Sequence, residues 1–234
     1  YRQDLNAFVE FAEVNKINEF ADLSAAFIRS WIVYLIEGGM KNRSVNRKLA
    51  SLRTLYKWLR KEGFVDQSPM TKIQGPKNER HLPVFAKESE LLPEKIDVIF
   101  SDDFGGKRDA LMLEMFYQTG IRLSELIGLK MNDIDGGQIK VLGKRNKERI
   151  IPISNQLVEQ IQIYIGLRND FQTENMHLFI LKNGKKLYPT FAYRKINYYL
   201  GLVTNLDKKS PHILRHTFAT HMLNRGTGLE TLKD

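Results

Sequence analysis

The sequence predicts a mainly α-helical chain with one small antiparallel sheet, an α+β fold in two domains, and three observations carry that prediction. Residues before about 76 hold only helix-spaced apolar patterns. Residues 75–87 lose that spacing and contain two prolines. Beyond them, a single pair of β-prone runs interrupts further helical patterns.

Taken in order, the first helix is marked by Leu5, Phe8, Phe11 and Ala12. The second carries Phe27, Ile28, Trp31, Ile32 and Leu35 and stops at Gly38-Gly39; the third carries Val45, Leu49, Leu52, Tyr56 and Leu59 and stops at Gly63. These elements predict an all-helical N-terminal domain over residues 1–76. Gly75-Pro76-Lys77-Asn78-Glu79-Arg80-His81-Leu82-Pro83 lacks periodicity, so residues 77–87 read as a linker and residues 88–234 as a second domain. That domain is expected to hold helices near 88–100 and 107–119, a short helix from Leu123, and strands near 138–142 and 148–153. A helix near 154–168, a short strand at 178–181, a helix near 190–203 and a last helix from Pro211 complete it.

Composition narrows the class. The 36 Lys and Arg outnumber the 27 Asp and Glu, giving a net charge of +9 that suits a polyanionic partner. At 234 residues and 42% hydrophobic, the chain can bury two cores. It has no cysteine, which excludes a disulfide framework and a thiolate zinc site. No apolar run reaches about 18 residues and no signal-peptide pattern opens the chain, so a cytoplasmic location with no membrane partner is expected.

The third helix has an unusual charge pattern. Residues 41–61 contain Lys41, Arg43, Arg47, Lys48, Arg53, Lys57, Arg60 and Lys61 and no acid. A merely solvated helix face usually mixes signs, because Glu–Lys spacing supports it. A one-signed face predicts a helix that lies against DNA, with Arg43, Arg47, Arg53, Lys57, Arg60 and Lys61 as the contacting residues.

A second anion-handling feature lies near the end of the sequence, in Ser210-Pro211-His212-Ile213-Leu214-Arg215-His216-Thr217-Phe218-Ala219-Thr220-His221. Ser210 is a favoured N-cap and Pro211 suits the first helical position, so a helix starts here. His212 and Arg215 then share one face beside unpaired backbone amides, where an anion is stabilised. His212 and His216 also have zinc-ligand spacing, but position 213 is Ile where a zincin helix carries glutamate.

Two further stretches keep this one company. Thr119-Gly120-Ile121-Arg122-Leu123-Ser124-Glu125-Leu126 delivers an arginine into a helix start after a glycine break. Gly143-Lys144-Arg145-Asn146-Lys147-Glu148-Arg149-Ile150-Ile151-Pro152-Ile153 is a polar turn between two β-prone runs. In this order the three resemble the first arginine box, the lysine hairpin and the HxxR box of the tyrosine recombinases, the lambda-integrase-like phage integrase family, and they look most like its Xer type.

The resemblance implies a SAM-like core-binding DNA-binding domain over residues 1–76, a C-terminally incomplete catalytic domain over residues 88–234, a nucleoid-associated location, and phosphodiester transesterification as the reaction. That reaction needs permanent positive donors on the nonbridging oxygens and an acid for the leaving oxygen. Arg122 and Arg215 are the candidate donors, since a guanidinium makes bidentate contacts and keeps its charge. Lys144 stands at the family's lysine position as the acid, with Lys147 as the alternative. By the same resemblance His212 assists at the phosphate and the nucleophile, Glu125 orients the group, and His216 is a supporting residue. Neither a metal nor another cofactor is expected, because these cations supply the charge. The implied partners are double-stranded DNA with an inverted-repeat recombination site, a homo- or heterotetramer of recombinases on it, and a DNA translocase.

Family spacing places the nucleophilic tyrosine roughly a dozen residues past Asp234. Tyr188, Tyr193, Tyr198 and Tyr199 precede the His212 box and lack the family context. The expectation is therefore a recombinase lacking its tyrosine-bearing tail, the given residues alone leaving DNA uncut. The role the resemblance implies is Xer-type chromosome dimer resolution, with mobile-element integration and a non-catalytic DNA-binding role as alternatives on the same scaffold; a helical interaction protein is a further reading, which DNA binding would exclude.

Overall fold

The computed structural model describes residues 1–16, 20, 23–79, 84–143, 147–171 and 173–226. Its chain divides into two compact units, Tyr1–His81 and Leu82–Asp234. Lys144 and residues 80–83 of the expected linker lie outside the described residues.

The first unit is helical, with α1 (Arg2–Val14), α2 (Ala25–Glu37) and α3 (Asn42–Lys61). The apolar spacing is the buried face of each: Phe8 and Ala12, then Ile28, Trp31 and Leu35, then Val45, Leu49, Leu52, Tyr56 and Leu59. Each large side chain so buried contributes roughly 1.5–3 kcal/mol. Phe8 meets Trp31 edge-on at 4.8 Å. Ser24 begins α2 by accepting a hydrogen bond from Phe27 N–H at 3.1 Å.

One buried acid ties α1 to α3. Asp4 accepts hydrogen bonds from Arg47, from Lys48 Nζ at 3.4 Å and from Ser51 Oγ at 3.2 Å. Burial pushes its pKa up, but the hydrogen bond and charge of Arg47, helped by Lys48, more than offset this and hold it below the ordinary value. The basic run of α3 therefore has an inner side: Lys48 is buried against α1 rather than facing solvent.

The second unit adds α4 (Pro93–Ile96), α5 (Phe104–Thr119), α6 (Leu123–Gly128), α7 (Asn155–Asn169), α8 (Pro189–Val203) and α9 (Pro211–Asn224). Helices α7, α8 and α9 all pack on α5. Leu111, Met112, Leu113, Met115 and Phe116 of α5 are all buried, a pattern that fits a helix enclosed on every side. Its acid Asp109, fully buried, is satisfied by Arg108 Nη2 at 2.7 Å, Lys195 Nζ at 3.0 Å and Tyr199 OH at 3.3 Å.

Strands β1 (Ile134–Asp135), β2 (Gln138–Leu142) and β3 (Glu148–Pro152) form one antiparallel sheet in the order β1-β2-β3. Ile139 and Val141 of β2 are buried while Gln138, Lys140 and Leu142 face out. Across the ladder Val141 pairs with Arg149 and Ile139 with Ile151, so Arg149 lies on the inward face of β3. The α+β class predicted from the sequence is the observed one.

Three local expectations are corrected. The helix near 88–100 is instead a 3-10 turn (Glu88–Glu90), the four-residue α4 and a second 3-10 turn (Asp97–Ile99). Pro93 removes an amide donor and starts α4 anew, which divides the run. Residues 178–181 form no strand; the chain there makes isolated bridges, Lys130 with His177 and Ile180 with Lys186. Helix α5 begins at Phe104, three residues earlier than expected, because Asp103 caps it through Gly106 N–H at 2.8 Å.

Candidate active site

The site is assembled where α5 ends. Gly120 closes α5 in the left-handed conformation, φ 60°, a geometry that favours glycine. A Cβ there would stand 2.5 Å from the Phe218 ring of α9, so the glycine also permits the close approach of α9. The Gly120 carbonyl in turn accepts a hydrogen bond from Arg215 Nη1 on α9. The arginine of the HxxR box is thus fastened to the turn that leads into Arg122.

Arg122 is the N-cap of α6. Its backbone N–H donates to Glu125 Oε2 at 2.9 Å and its Nη1 donates to Glu125 Oε1 at 2.7 Å. The same carboxylate receives both arms of Arg149 on β3, Nη1 to Oε1 at 3.0 Å and Nη2 to Oε2 at 3.0 Å. Glu125 is buried, its side chain 3% exposed, whereas Arg122 and Arg149 are 33% and 20% exposed.

Electrostatics follow from this crowding. Burial pushes the Glu125 carboxyl up, but the hydrogen bonds from Arg149 and Arg122 win and hold it at about 2. Arg215 is pushed below its ordinary value by burial and then by the neighbouring charge of Arg122, with Glu125 opposing. Three guanidinium groups share the site with one carboxylate, leaving an excess of positive charge for an anion.

On α9, Ser210 stands at the N-cap in extended conformation, φ −165° and ψ 162°, and its side chain makes no capping hydrogen bond. The expected Ser210 cap is therefore positional only. His212 is exposed in the first turn, Arg215 is half-buried one turn on, and His216 is exposed beside it. Further along, Thr217 Oγ1 accepts from Ala86 N–H at 2.9 Å, and His221 Nε2 meets the Ala86 carbonyl at 3.1 Å. These contacts fasten the start of the second unit to the helix that carries His212 and Arg215.

The structure brings Arg122, Glu125 and Arg215 together; Lys144 lies outside the described residues. Arg149 is the site residue that sequence reasoning missed. Its signal was an arginine in register with apolar Ile151 on the inward side of a strand, where a charge needs a buried partner. Among the described residues no tyrosine hydroxyl is hydrogen-bonded to this cluster: Tyr117 meets His221 at 3.2 Å, Tyr164 accepts from Ile180 N–H at 3.2 Å, and Tyr199 is held by Asp109.

In the first unit, Arg43, Arg47, Arg53, Lys57, Arg60 and Lys61 are all exposed on α3. Arg47 is also bound to Asp4, and Arg53 Nη2 donates to the Ile73 carbonyl at 3.0 Å. Arg43, Lys57, Arg60 and Lys61 are free of such bonds among the described residues.

The Glu125 bridge predicts a pH dependence. Its folded pKa of about 2 lies below the ordinary 4.5, so its contribution to stability is complete above about 4.5 and is lost as pH falls towards 2. Glu125→Gln should lower stability at pH 7 by roughly 2–3 kcal/mol. Urea unfolding at several pH values checks this: the gap to the unsubstituted protein should close between about pH 4.5 and 2. A gap independent of pH would remove the ionic bridge from the account.

Comparison with known proteins gives consistent matches. The Phage integrase family matches residues 91–234, and the family "Phage integrase, N-terminal SAM-like domain" matches residues 1–63. The chain is 33% identical to Tyrosine recombinase XerC of Chlorobaculum tepidum and 35% identical to Tyrosine recombinase XerC of Staphylococcus carnosus, covering 100% of this chain and 79% of each relative. It is 33% identical to Tyrosine recombinase XerD of Staphylococcus epidermidis, covering 100% of this chain and 81% of the relative. Among solved structures it resembles XerH site-specific recombinase bound to palindromic difH substrate, with a TM-score of 0.83 and 21% identity over 98% of this chain and 69% of the other. It also resembles the Tn1549 transposon integrase in complex with transposon right end DNA, with a TM-score of 0.74 and 18% identity over 100% of this chain and 84% of the other. At those identities the structural likeness speaks for the fold.

Proposed function

The chain belongs to the phage integrase family of tyrosine recombinases, and on that premise we propose that it cuts and rejoins DNA at a specific site through a 3′-phosphotyrosyl intermediate. The observation that carries this reading is the cluster of Arg122, Arg149 and Arg215 around Glu125, with the exposed His212 one turn before Arg215 on the same helix. DNA affinity alone does not require such a cluster, whereas a phosphate gaining charge in a transition state does.

In this reading Arg122 and Arg215 bind the nonbridging oxygens, and His212 bonds the phosphate and takes part in proton movement at the nucleophile. Lys144 protonates the departing 5′ oxygen, Glu125 fixes Arg122, and His216 supports His212 one turn on. Residues 1–76 form the core-binding domain, 77–87 the linker and 88–234 the catalytic domain. The phosphotyrosyl bond retains the energy of the broken phosphodiester, so rejoining requires no ATP. The curated relatives favour an Xer-type role, the resolution of chromosome dimers on an inverted-repeat site, over mobile-element integration on the same core. The implied assembly is a tetramer with itself or a second recombinase, with a DNA translocase as a further partner.

The α3 face supplies the first test. Duplex binding by this chain should weaken by about 10³-fold or more between 50 and 200 mM salt, because each neutralised phosphate releases counterions. Replacing Lys57 and Arg60 with alanine should reduce the salt slope by about one per lost contact. Binding that ignores salt, measured by fluorescence anisotropy, would overturn the DNA-facing assignment of α3. The catalytic part is tested on a nicked suicide substrate, where the full-length gene product should trap a covalent protein–DNA band with EDTA present. The 234 residues alone should bind and leave the DNA uncut, since none of their tyrosines has the family context.

A further inference from the structure

We propose that Arg149 is a positioning residue for the reaction, which keeps the charge of Arg122 available to the phosphate by neutralising Glu125. The inference rests on the functional reading above. Its observations are the register that turns Arg149 inward opposite Val141 and the two-armed bridge to a carboxylate that Arg122 also contacts.

Charge bookkeeping gives the role. Arg122, Arg149 and Arg215 with Glu125 sum to two net positive charges, and a phosphodiester approaching its pentacoordinate transition state moves from one negative charge towards two. Both Nη atoms of Arg149 donate to Glu125, so its fork is turned to the carboxylate, and we assign Arg149 an action on the phosphate through its neighbours. Arg122 spends Nη1 on Glu125 and keeps its other donors. Without Arg149, the full charge of the buried Glu125 would fall on Arg122 alone, and the field at the phosphate would drop by about one charge.

The role separates from a structural one by substrate charge. A methylphosphonate at the scissile position replaces one charged oxygen with a neutral methyl, so its transition state needs less positive charge. In the full-length gene product, Arg149→Gln should slow cleavage of ordinary DNA by about 10²-fold. On the methylphosphonate the loss should be under about tenfold, with DNA affinity unchanged. Arg149→Lys keeps the charge but not the fork, so its ratio of rates on the two substrates should stay near that of the unsubstituted enzyme.

A second variant makes the test sharper. Glu125→Gln combined with Arg149→Gln removes the carboxylate along with its counterion and frees Arg122, so the double variant should cleave ordinary DNA faster than Arg149→Gln alone. A purely structural Arg149 would make the double variant at least as slow as the single one, and that result overturns the inference. Equal loss on both substrates, or no loss, overturns it too. If Arg149→Gln does not fold, the double variant and Arg149→Lys carry the test, the expectation for the double being cleavage within about tenfold of the unsubstituted rate. Arg122→Ala is the control: if it cleaves as fast as the unsubstituted enzyme, the functional reading fails, whereas a slow Arg122→Ala beside an unaffected Arg149→Gln rejects only the role of Arg149.

Discussion

Arg215→Ala in the full-length gene product should form covalent DNA adduct about 10²–10³-fold more slowly, the effect typical of removing one preorganised donor to a developing anion. DNA affinity should change by less than about tenfold, because on the proposed reading the ground-state phosphate has other cationic partners and only the growing charge needs this one. The geometry argues for a large effect. Arg215 is anchored to the Gly120 carbonyl, half-buried, and close enough to Arg122 for their charges to oppose one another. That repulsion is tolerable with a phosphate between them and costly without one. Arg122→Ala should lose at least as much, since it also strips Glu125 of one hydrogen-bond donor. Lysine at position 215 should restore little, because a single ammonium reproduces neither the anchor nor the fork. The measurement is single-turnover adduct formation on a denaturing gel, alongside a binding titration. A loss of binding as large as the loss of adduct would assign these arginines to DNA affinity instead of chemistry.

What could be read from the sequence was what is local in the chain. Arg122 and Glu125 are three residues apart across a helix start, and His212 and Arg215 share one helix face, so their pairing follows from helical geometry alone. The bridge from Glu125 to Arg149 spans 24 residues and depends on which side of β3 the arginine occupies. Alternation with Ile151 held that information, but the partner was visible only once β3 lay beside α6. The same limit applies to α3: the absence of acids between residues 41 and 61 points to a DNA-facing side that includes Arg47, and the acid that engages Arg47 and Lys48 lies on α1, out of reach of a reading of α3 alone. Helix periodicity succeeded for α2 and α3 because each buries one stripe. It failed near 88–100, where Pro93 divides the run, and at 178–181, where apolar residues enter the core without pairing as a strand. For buried runs such as Leu178, Phe179 and Ile180, hydrophobicity reports burial and leaves the backbone state open.

The largest diagnostic effect is expected at Lys144. In the full-length gene product Lys144→Ala should slow cleavage of ordinary DNA by about 10²–10⁴-fold, the usual range for a lost general acid. Lys144 follows Gly143 in the sequence just past the end of β2, and Gly143 N–H donates to the Lys147 carbonyl at 2.7 Å. The hairpin whose β3 strand carries Arg149 is thereby tied to Glu125, and through it to Arg122. Sulfur at the 5′ bridging position makes the leaving group a thiolate, which departs without protonation. Lys144→Ala should therefore recover to within about tenfold of the unsubstituted enzyme on that substrate, while Arg215→Ala should not recover, because charge on the nonbridging oxygens is still unmet. Rescue of Lys147→Ala in place of Lys144→Ala would move the acid role three residues along the sequence. Rescue of neither lysine variant, with both slow on ordinary DNA, would mean that the hairpin acts on the nonbridging oxygens and that the proton comes from elsewhere, with His212 the next residue to test.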